Sequence, residues 1–466
     1  MPHTILSSRG REKLVDDLNF IYTAQKKNAD GTKQYWRCEV TACKARVHTT
    51  VGDETFTIVK SVNEHNHSTT AAAVKAREAM VELKAVATST QESSRALVAN
   101  VLSKLDEHSL AHVPSTSTMS RYVRQWRQDA QQAPPIPQTR TGYVVPEEYT
   151  KLESGEMFLQ HDSGIEDENR ILVFASAQGL RDLVRYKSWG FDGTFKCCPK
   201  IFAQLFTIHS QDGTFSVPRV FALLPSKTEE TYTRVFSILK DLQPELSPQD
   251  VMMDFEMASY NAFIASFGYA SVTFCLFHLS QNIYRKVVDC NERQRYHRED
   301  EYALKIRCFT ALAFLPIQDV VAGFEELVDD DDLPQELIDY FAVNYIGSER
   351  GRGQNRRRMV PRFKIADWNV RDRALQDKPR TNNNLEGFHN ALQSSVTQTH
   401  PNIWCLIKGL KKEEVLANGK RIKFEQSGSV CKPTTATKNI KNLIEKYDPN
   451  EKMLFLRAVA HNLKLF

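Results

Sequence analysis

Ser188-Trp189-Gly190-Phe191-Asp192-Gly193-Thr194-Phe195 places one carboxylate inside an aromatic and apolar run, where the pattern predicts a buried strand. An ionised Asp is costly to bury unless it is paired or holds a metal. The chain offers distant partners of the same kind. Asp254 closes the apolar run Asp250-Val251-Met252-Met253-Asp254-Phe255-Glu256, and Glu386 lies within Thr381-Asn382-Asn383-Asn384-Leu385-Glu386-Gly387-Phe388-His389. Whether these acids meet depends on the elements between them.

Around Asp192 strands and helices alternate. Strands are predicted over 170–175, 187–197, 202–209 and 216–224, with a short helix over 179–186. Gln211-Asp212-Gly213 is a hairpin signal. Ser226-Lys227-Thr228-Glu229 is a capping box opening a helix that buries Tyr232, Val235, Phe236, Leu239 and Leu242. A strand over 250–256, a helix over 257–267 and a strand over 271–277 complete the series. Three antiparallel strands followed by α-β-α-β is the order of an RNase H-like core, so the predicted fold class is α/β of that type. Asp212-Gly213-Thr214-Phe215 repeats the letters of Asp192-Gly193-Thr194-Phe195, but in a turn open to water. The tetrapeptide means little without its context.

Helices are predicted over 279–289, 300–314, 317–328 and 333–345, an all-α insertion that separates the second acid from the third. Asp329-Asp330-Asp331-Asp332 reads as a solvated loop. The run Arg350, Arg352, Arg356, Arg357, Arg358, Arg362 and Lys364 suits phosphate contacts or nuclear import, a solvated basic loop being the alternative. A helix over 382–397 carries Glu386, with Asn382 and Asn383 as caps that fix its direction, and another spans 403–416. The blocks are thus 165–278 for the first part of the core and 279–347 for the insertion. Residues 348–420 hold the basic loop and the third-acid helix, and 421–466 a helical tail.

Ahead of the core, residues 10–68 read as a small β-rich unit with strands over 34–38, 45–51 and 55–62 and a Gly52-Asp53 turn signal. Cys38, Cys43, His65 and His67 supply the two thiolates and two imidazoles that structural zinc prefers. Two buried cysteines beside a polar His-Asn-His loop is the alternative. So small a unit has little core, and Zn2+ would supply much of its folding free energy. Residues 69–128 read as helical, with Leu97, Val98, Val101, Leu102 and Leu105 on one apolar face. After Pro114 a second helix carries Met119, Tyr122, Val123 and Trp126 on one side and Arg121, Arg124 and Arg127 on the other. This helix-turn-helix-like order suits docking on DNA phosphates; a solvated basic face on a helical linker is the alternative. Residues 129–150, with Gln-Gln and Pro-Pro-Ile-Pro, form a linker.

At 466 residues the chain should hold more than one domain, and 41% hydrophobic with 25% charged residues excludes wholesale disorder. The net charge of +4 says little by itself, because the basic residues are clustered. Residues 1–14 contain no apolar core of signal-peptide length, and no run of about 18 apolar residues follows. The expectation is a soluble, intracellular protein with no membrane partner. Nine cysteines at irregular spacing argue against a disulfide framework.

Hard divalent cations take oxygen ligands, and Asp192, Asp254 and Glu386 together suit two Mg2+ or Mn2+ ions about 3.5–4 Å apart for an in-line displacement at phosphorus. The core resembles the Mutator-like (MULE) transposase catalytic domain in Trp189 to Phe195, Asp254-Phe255-Glu256-Met257-Ala258, Cys275-Leu276-Phe277-His278-Leu279-Ser280-Gln281-Asn282 and Thr381 to His389. Phe20, Tyr35, Trp36, Cys38, Cys43, His65 and His67 resemble the FLYWCH-type zinc finger, which implies a zinc-stabilised DNA- or protein-binding module. The MULE resemblance implies an Asp-Asp-Glu transposase that cuts double-stranded DNA at element ends and joins it to a target, with the acids carried over as Asp192, Asp254 and Glu386. It also implies a nuclear location and self-association. A transposase-derived nuclear DNA-binding regulator is the alternative. Cys275 and His278 match a further family motif at a strand-to-helix junction; with no second Cys/His pair nearby in sequence, they read as structural or DNA-contacting.

Overall fold

The computed structural model describes residues 2–6, 11–51, 56–69, 71–90, 92–130, 134–213, 215–329, 332–350, 357–396, 399–427 and 434–463. The chain divides into two compact units, Met1–Pro135 and Ile136–Phe466.

The first unit opens with six strands, β1 His3–Leu6, β2 Glu12–Val15, β3 Ile21–Lys27, β4 Lys33–Cys38, β5 Arg46–Thr50 and β6 Ile58–Val62. Each pairs antiparallel with the next, so the sheet is a meander in sequence order. Leu14, Tyr22, Trp36, Cys38, Cys43, Ala45 and Val47 form its core. The buried indole N–H of Trp36 donates to Thr49 Oγ1 at 2.9 Å, so this large side chain leaves no orphan donor. The Gly52-Asp53 turn signal lies outside the described residues. Helices α1 Ala71–Ser89, α2 Ser94–Leu102, α3 Glu107–Leu110 and α4 Thr116–Ala130 follow. Leu83, Leu97, Val98, Val101, Met119 and Val123 close their common core. The expected finger and helical segment share one unit: Val74 of α1 packs on Ile5 and Val15 of the sheet.

The second unit is built on a mixed sheet of β7 Leu159–Asp162, β8 Leu172–Phe174, β9 Ser188–Thr194, β10 Gln204–Asp212, β11 Phe215–Leu224, β12 Asp250–Met253 and β13 Ser271–Phe274. Its spatial order is β13-β12-β9-β10-β11-β8-β7. The pairs from β9 through β10, β11, β8 and β7 are antiparallel, whereas β9, β12 and β13 run parallel. Side-chain alternation assigns the two faces. Val173, Phe206, Ile208, Val220 and Ala222 look into one core, and Leu172, Phe174, Leu205, Phe221 and Leu223 into the other.

Helix α5 Glu147–Thr150 precedes these strands, and α6 Ala177–Arg185, α7 Glu229–Leu242 and α8 Met257–Phe267 connect them. The cap of α7 is Thr228, whose side chain accepts from Thr231 N–H, and not the Ser226 of the capping box. Ser226 instead exchanges a hydroxyl hydrogen bond with Thr231 at 2.7 Å. After β13 come α9 Leu276–Asp289, α10 Arg293–Arg298, α11 Asp300–Ala311, α12 Val320–Val328 and α13 Gln335–Phe341, which continues as a π-helical turn Ala342–Ile346. The strand expected to reach residue 277 stops at Phe274, and the apolar residues Leu276 and Leu279 are buried on a helix instead.

The short strands β14 Glu349–Arg350 and β15 Arg357–Arg358 lead into α14 Ile365–Trp368, α15 Arg371–Leu375, α16 Asn383–Val396, α17 Ile403–Ser427, α18 Thr435–Glu445 and α19 Lys452–Asn462. Neither the insertion nor the tail is peripheral. Phe309, Phe341 and Tyr345 from the insertion and Leu456 and Val459 from the tail belong to the same core as Trp189 and Phe191. The other face is covered by Leu392 of α16 and Trp404, Leu406, Ile407 and Leu410 of α17. At the sheet's far edge Arg170 is fully buried, with Asp162 accepting from its Nε and Nη2 at 2.8 and 2.6 Å and two backbone carbonyls taking Nη1. Among the described residues no helix is long and apolar enough to cross a membrane.

Candidate functional site

Register brings the first two acids together. In the parallel pair β9–β12, Gly190 lies opposite Met252, so continuing both strands by two residues sets Asp192 level with Asp254. Met253 lies opposite Phe274 in the next pair, which sets Cys275 level with Asp254 in turn. Two carboxylates and a thiol thus line up at the carboxyl ends of neighbouring strands, the edge where open α/β sheets commonly bind ligands. Glu386 arrives from α16 across a long chain separation, and His278, on the first turn of α9, bridges the set. Its Nδ1 lies 2.8 Å from Asp254 Oδ1 and its Nε2 3.5 Å from Glu386 Oε1.

Asp192 is held from a second direction. His389, one helical turn beyond Glu386 on α16, places Nδ1 3.3 Å from Asp192 Oδ2, while its Nε2 meets Thr207 Oγ1 at 3.1 Å. Gly193 N–H reaches Asp192 Oδ1 at 2.7 Å. Glycine is required at that position: a Cβ there would lie 2.2 Å from Gln204 Oε1, and Gln204 is buried with its amide N–H donated to Tyr232. Gly190 is equally confined, its Cβ position being 2.4 Å from Gln211 Nε2.

The electrostatics are those of crowded acids. Burial opposes the charge of Asp192, but His389 beside it holds the carboxyl below the usual carboxylate range. Burial, then the nearby Asp192, pushes Asp254 up to about 7. Burial raises Glu386 as well, with Asp192 adding to it. Burial alone would lower His278, yet its pairing with Asp254 raises it to about 11. Asp192 and Asp254 open onto a cavity of about 270 Å³ lined also by Lys227, Glu256, Asn282 and Arg285. Tyr232 donates to Glu256 Oε2 at 2.8 Å.

Asn382 precedes α16, and its carbonyl accepts from Leu385 and Glu386 N–H. Its side chain does not take the capping role expected of it: both amide atoms are buried without a partner, and its backbone N–H donates to Cys275 Sγ at 3.1 Å. Asn383 is the first residue of the helix. Thr207, Lys227 and Tyr232 lie outside the stretches that carry the acids, and His389, though it closes the Thr381 to His389 stretch, shows its contact with Asp192 only in the folded arrangement.

In the first unit Cys38, Cys43, His65 and His67 bring one ligand atom each within 4.8 Å of one another. His67 Nε2 faces Cys38 Sγ at 3.1 Å, and His65 Nδ1 faces Cys43 Sγ at 3.5 Å. The remaining ring nitrogens have their own partners. His65 Nε2 meets Tyr22 Oη at 2.7 Å, Tyr22 donates to Asp16, and His67 Nδ1 meets the Ser68 carbonyl at 3.2 Å. Such outer partners orient metal-binding imidazoles, and the donor set fits Zn2+. The ring of Phe20 stacks on His65 at 3.5 Å between centroids.

The arginines separate into two kinds. Arg121 and Arg124 are exposed on α4. Arg127 instead donates to the carbonyls of Ala87, Thr90 and Glu92 at 2.7–3.0 Å, closing the end of α1. Arg358 pairs with Glu325 and Glu349, Arg357 is exposed on β15, and Arg356 lies outside the described residues.

No curated protein matches the chain in sequence. Two family models do match. Residues 4–67 match the FLYWCH zinc finger domain, a span that includes all four Cys/His ligands. Residues 188–282 match the MULE transposase domain, a span that includes Asp192, Asp254, Cys275 and His278 and ends before Glu386. The chain therefore carries a FLYWCH zinc finger followed by a MULE transposase domain.

Proposed function

We propose that this protein is a metal-dependent DNA transposase of the Asp-Asp-Glu type, acting in the nucleus on an RNase H-like sheet. One observation carries the reading: three acids far apart in sequence converge, with His278 reaching Asp254 on one side and Glu386 on the other. The residues fit a hard divalent cation, because they offer several carboxylate oxygens close together, and burial together with the nearby Asp192 raises Asp254 and Glu386, a penalty a bound cation would relieve. Asp192, Asp254 and Glu386 would hold Mg2+ or Mn2+, whose chemistry when bound is to stabilise the attacking and leaving oxygens of an in-line displacement at phosphorus. The remaining residues serve orientation and charge. His389 and Thr207 fix Asp192, and Lys227 and Arg285 place two cations in the same cavity, where they would meet a phosphodiester. Arg121 and Arg124 would supply phosphate contacts to double-stranded DNA, alongside the finger.

The test is strand cleavage and strand transfer on the flanking element's end DNA with Mg2+ or Mn2+. Asp192→Asn is expected to abolish product while DNA binding changes little. Unchanged cleavage in that variant would sink the assignment of the acids. Tight binding by the wild type without any product would favour a transposase-derived DNA-binding regulator.

A further inference from the structure

We propose that Asp254, Cys275 and His278 form a second transition-metal site in this chain, one that takes a borderline divalent ion such as Zn2+. A carboxylate oxygen, the thiol sulfur and an imidazole nitrogen of these residues lie within 4.8 Å of one another. Strand register sets Asp254 and Cys275 side by side, and Cys275 is the residue before α9, so His278 stands one turn above it. The bland explanation is an ordinary His–Asp ion pair at a helix start. That pair is present, with Asp254 Oδ1 and His278 Nδ1 2.8 Å apart, but it leaves the buried Cys275 sulfur as a third donor within the same 4.8 Å set.

The surroundings agree with that arrangement. Cys275 is fully buried and its sulfur accepts the Asn382 backbone N–H at 3.1 Å. His278 keeps Nε2 toward Glu386, the outer carboxylate that metal-binding histidines usually have. The Asn382 side chain, just beyond that N–H, is buried with both amide atoms unpartnered. A thiolate selects zinc-like ions over Mg2+, and three protein ligands with a further position open is the composition of reactive zinc centres. The proposal stands on this geometry and does not rest on the transposase reading.

Full-length protein, stripped of loosely held metal on a chelating resin, is expected to carry two zinc ions per chain by mass spectrometry. Cys38→Ser should lose one and keep the other, and adding His278→Ala should remove the second. Cobalt bound to the Cys38→Ser protein should give a thiolate-to-metal charge-transfer band that Cys275→Ser abolishes. A Cys38→Ser protein that holds neither zinc nor cobalt overturns the proposal, and this arm needs no substitution in the second unit. Two zinc ions without DNA cleavage would overturn the transposase reading and leave this site standing.

Discussion

Arg127 and Arg124 lie on the same helix and carry the same charge, but their side chains have different tasks. Three backbone carbonyls hold the Arg127 guanidinium, whereas Arg124 makes one local contact to Ser120 O and is otherwise exposed. Arg127→Ala is therefore expected to lower the stability of the first unit by about 2 kcal/mol, since it leaves charge-assisted hydrogen bonds unmade. Arg121→Ala and Arg124→Ala should leave the melting temperature nearly unchanged. Each should instead reduce the slope of log affinity for DNA against log salt by about one. Thermal melts and binding across a salt series separate the two behaviours. The Asp192 carboxyl makes the same point, because its role depends on His389 and Thr207, which no local pattern connects to it.

Among the elements, one acid clamps α1 to the finger sheet in addition to the packing of Val74. Glu39 lies between Lys13 of β2 and Arg77 of α1, and burial, which alone would raise its carboxyl, is outweighed by these two cations. Its folded pKa is thus below the unfolded value. The stabilisation is present at neutral pH and is lost as pH falls through the ordinary carboxylate range toward the lowered value. Glu39→Gln should remove that dependence: melts of the first unit between about pH 3 and 7 should be flatter than wild type, and parallel curves would refute the clamp. In the second unit, strand β9 shows what an element contributes that a motif does not. Asp212 ends β10 at an exposed hairpin, with Gly213 at φ +57°, whereas Asp192, in the same tetrapeptide, sits between β10 and the end of β12.

At the scale of the whole molecule, stability is distributed unequally. The first unit has small, divided cores and four metal-ligating side chains. The second closes one continuous core from the sheet through the helical insertion to the C-terminal helices. Zinc binding in so small a unit is largely folding free energy. Cys38→Ser should therefore expose residues 1–135 to limited proteolysis while a fragment containing 136–466 resists. Equal protection of both units would show that the finger does not need its metal.

Local chemistry made much of this legible in advance. The alternation of strands and helices, the Cys38, Cys43, His65 and His67 set, and the acids Asp192, Asp254 and Glu386 could be read from residue type, spacing and the cost of burying charge. Other features depend on distant partners. The strand predicted to 277 ended at Phe274 because Leu276 and Leu279 find buried neighbours on a helix, a choice an apolar run does not encode. Arg127 could not be told from Arg124 until the end of α1 was in place. Cys275 and His278 looked unsupported as metal ligands, because the third donor, Asp254, comes from the neighbouring strand. Residue identity determined which groups were available to bind metal or phosphate; pairing of nonlocal strands and helices decided which of them meet.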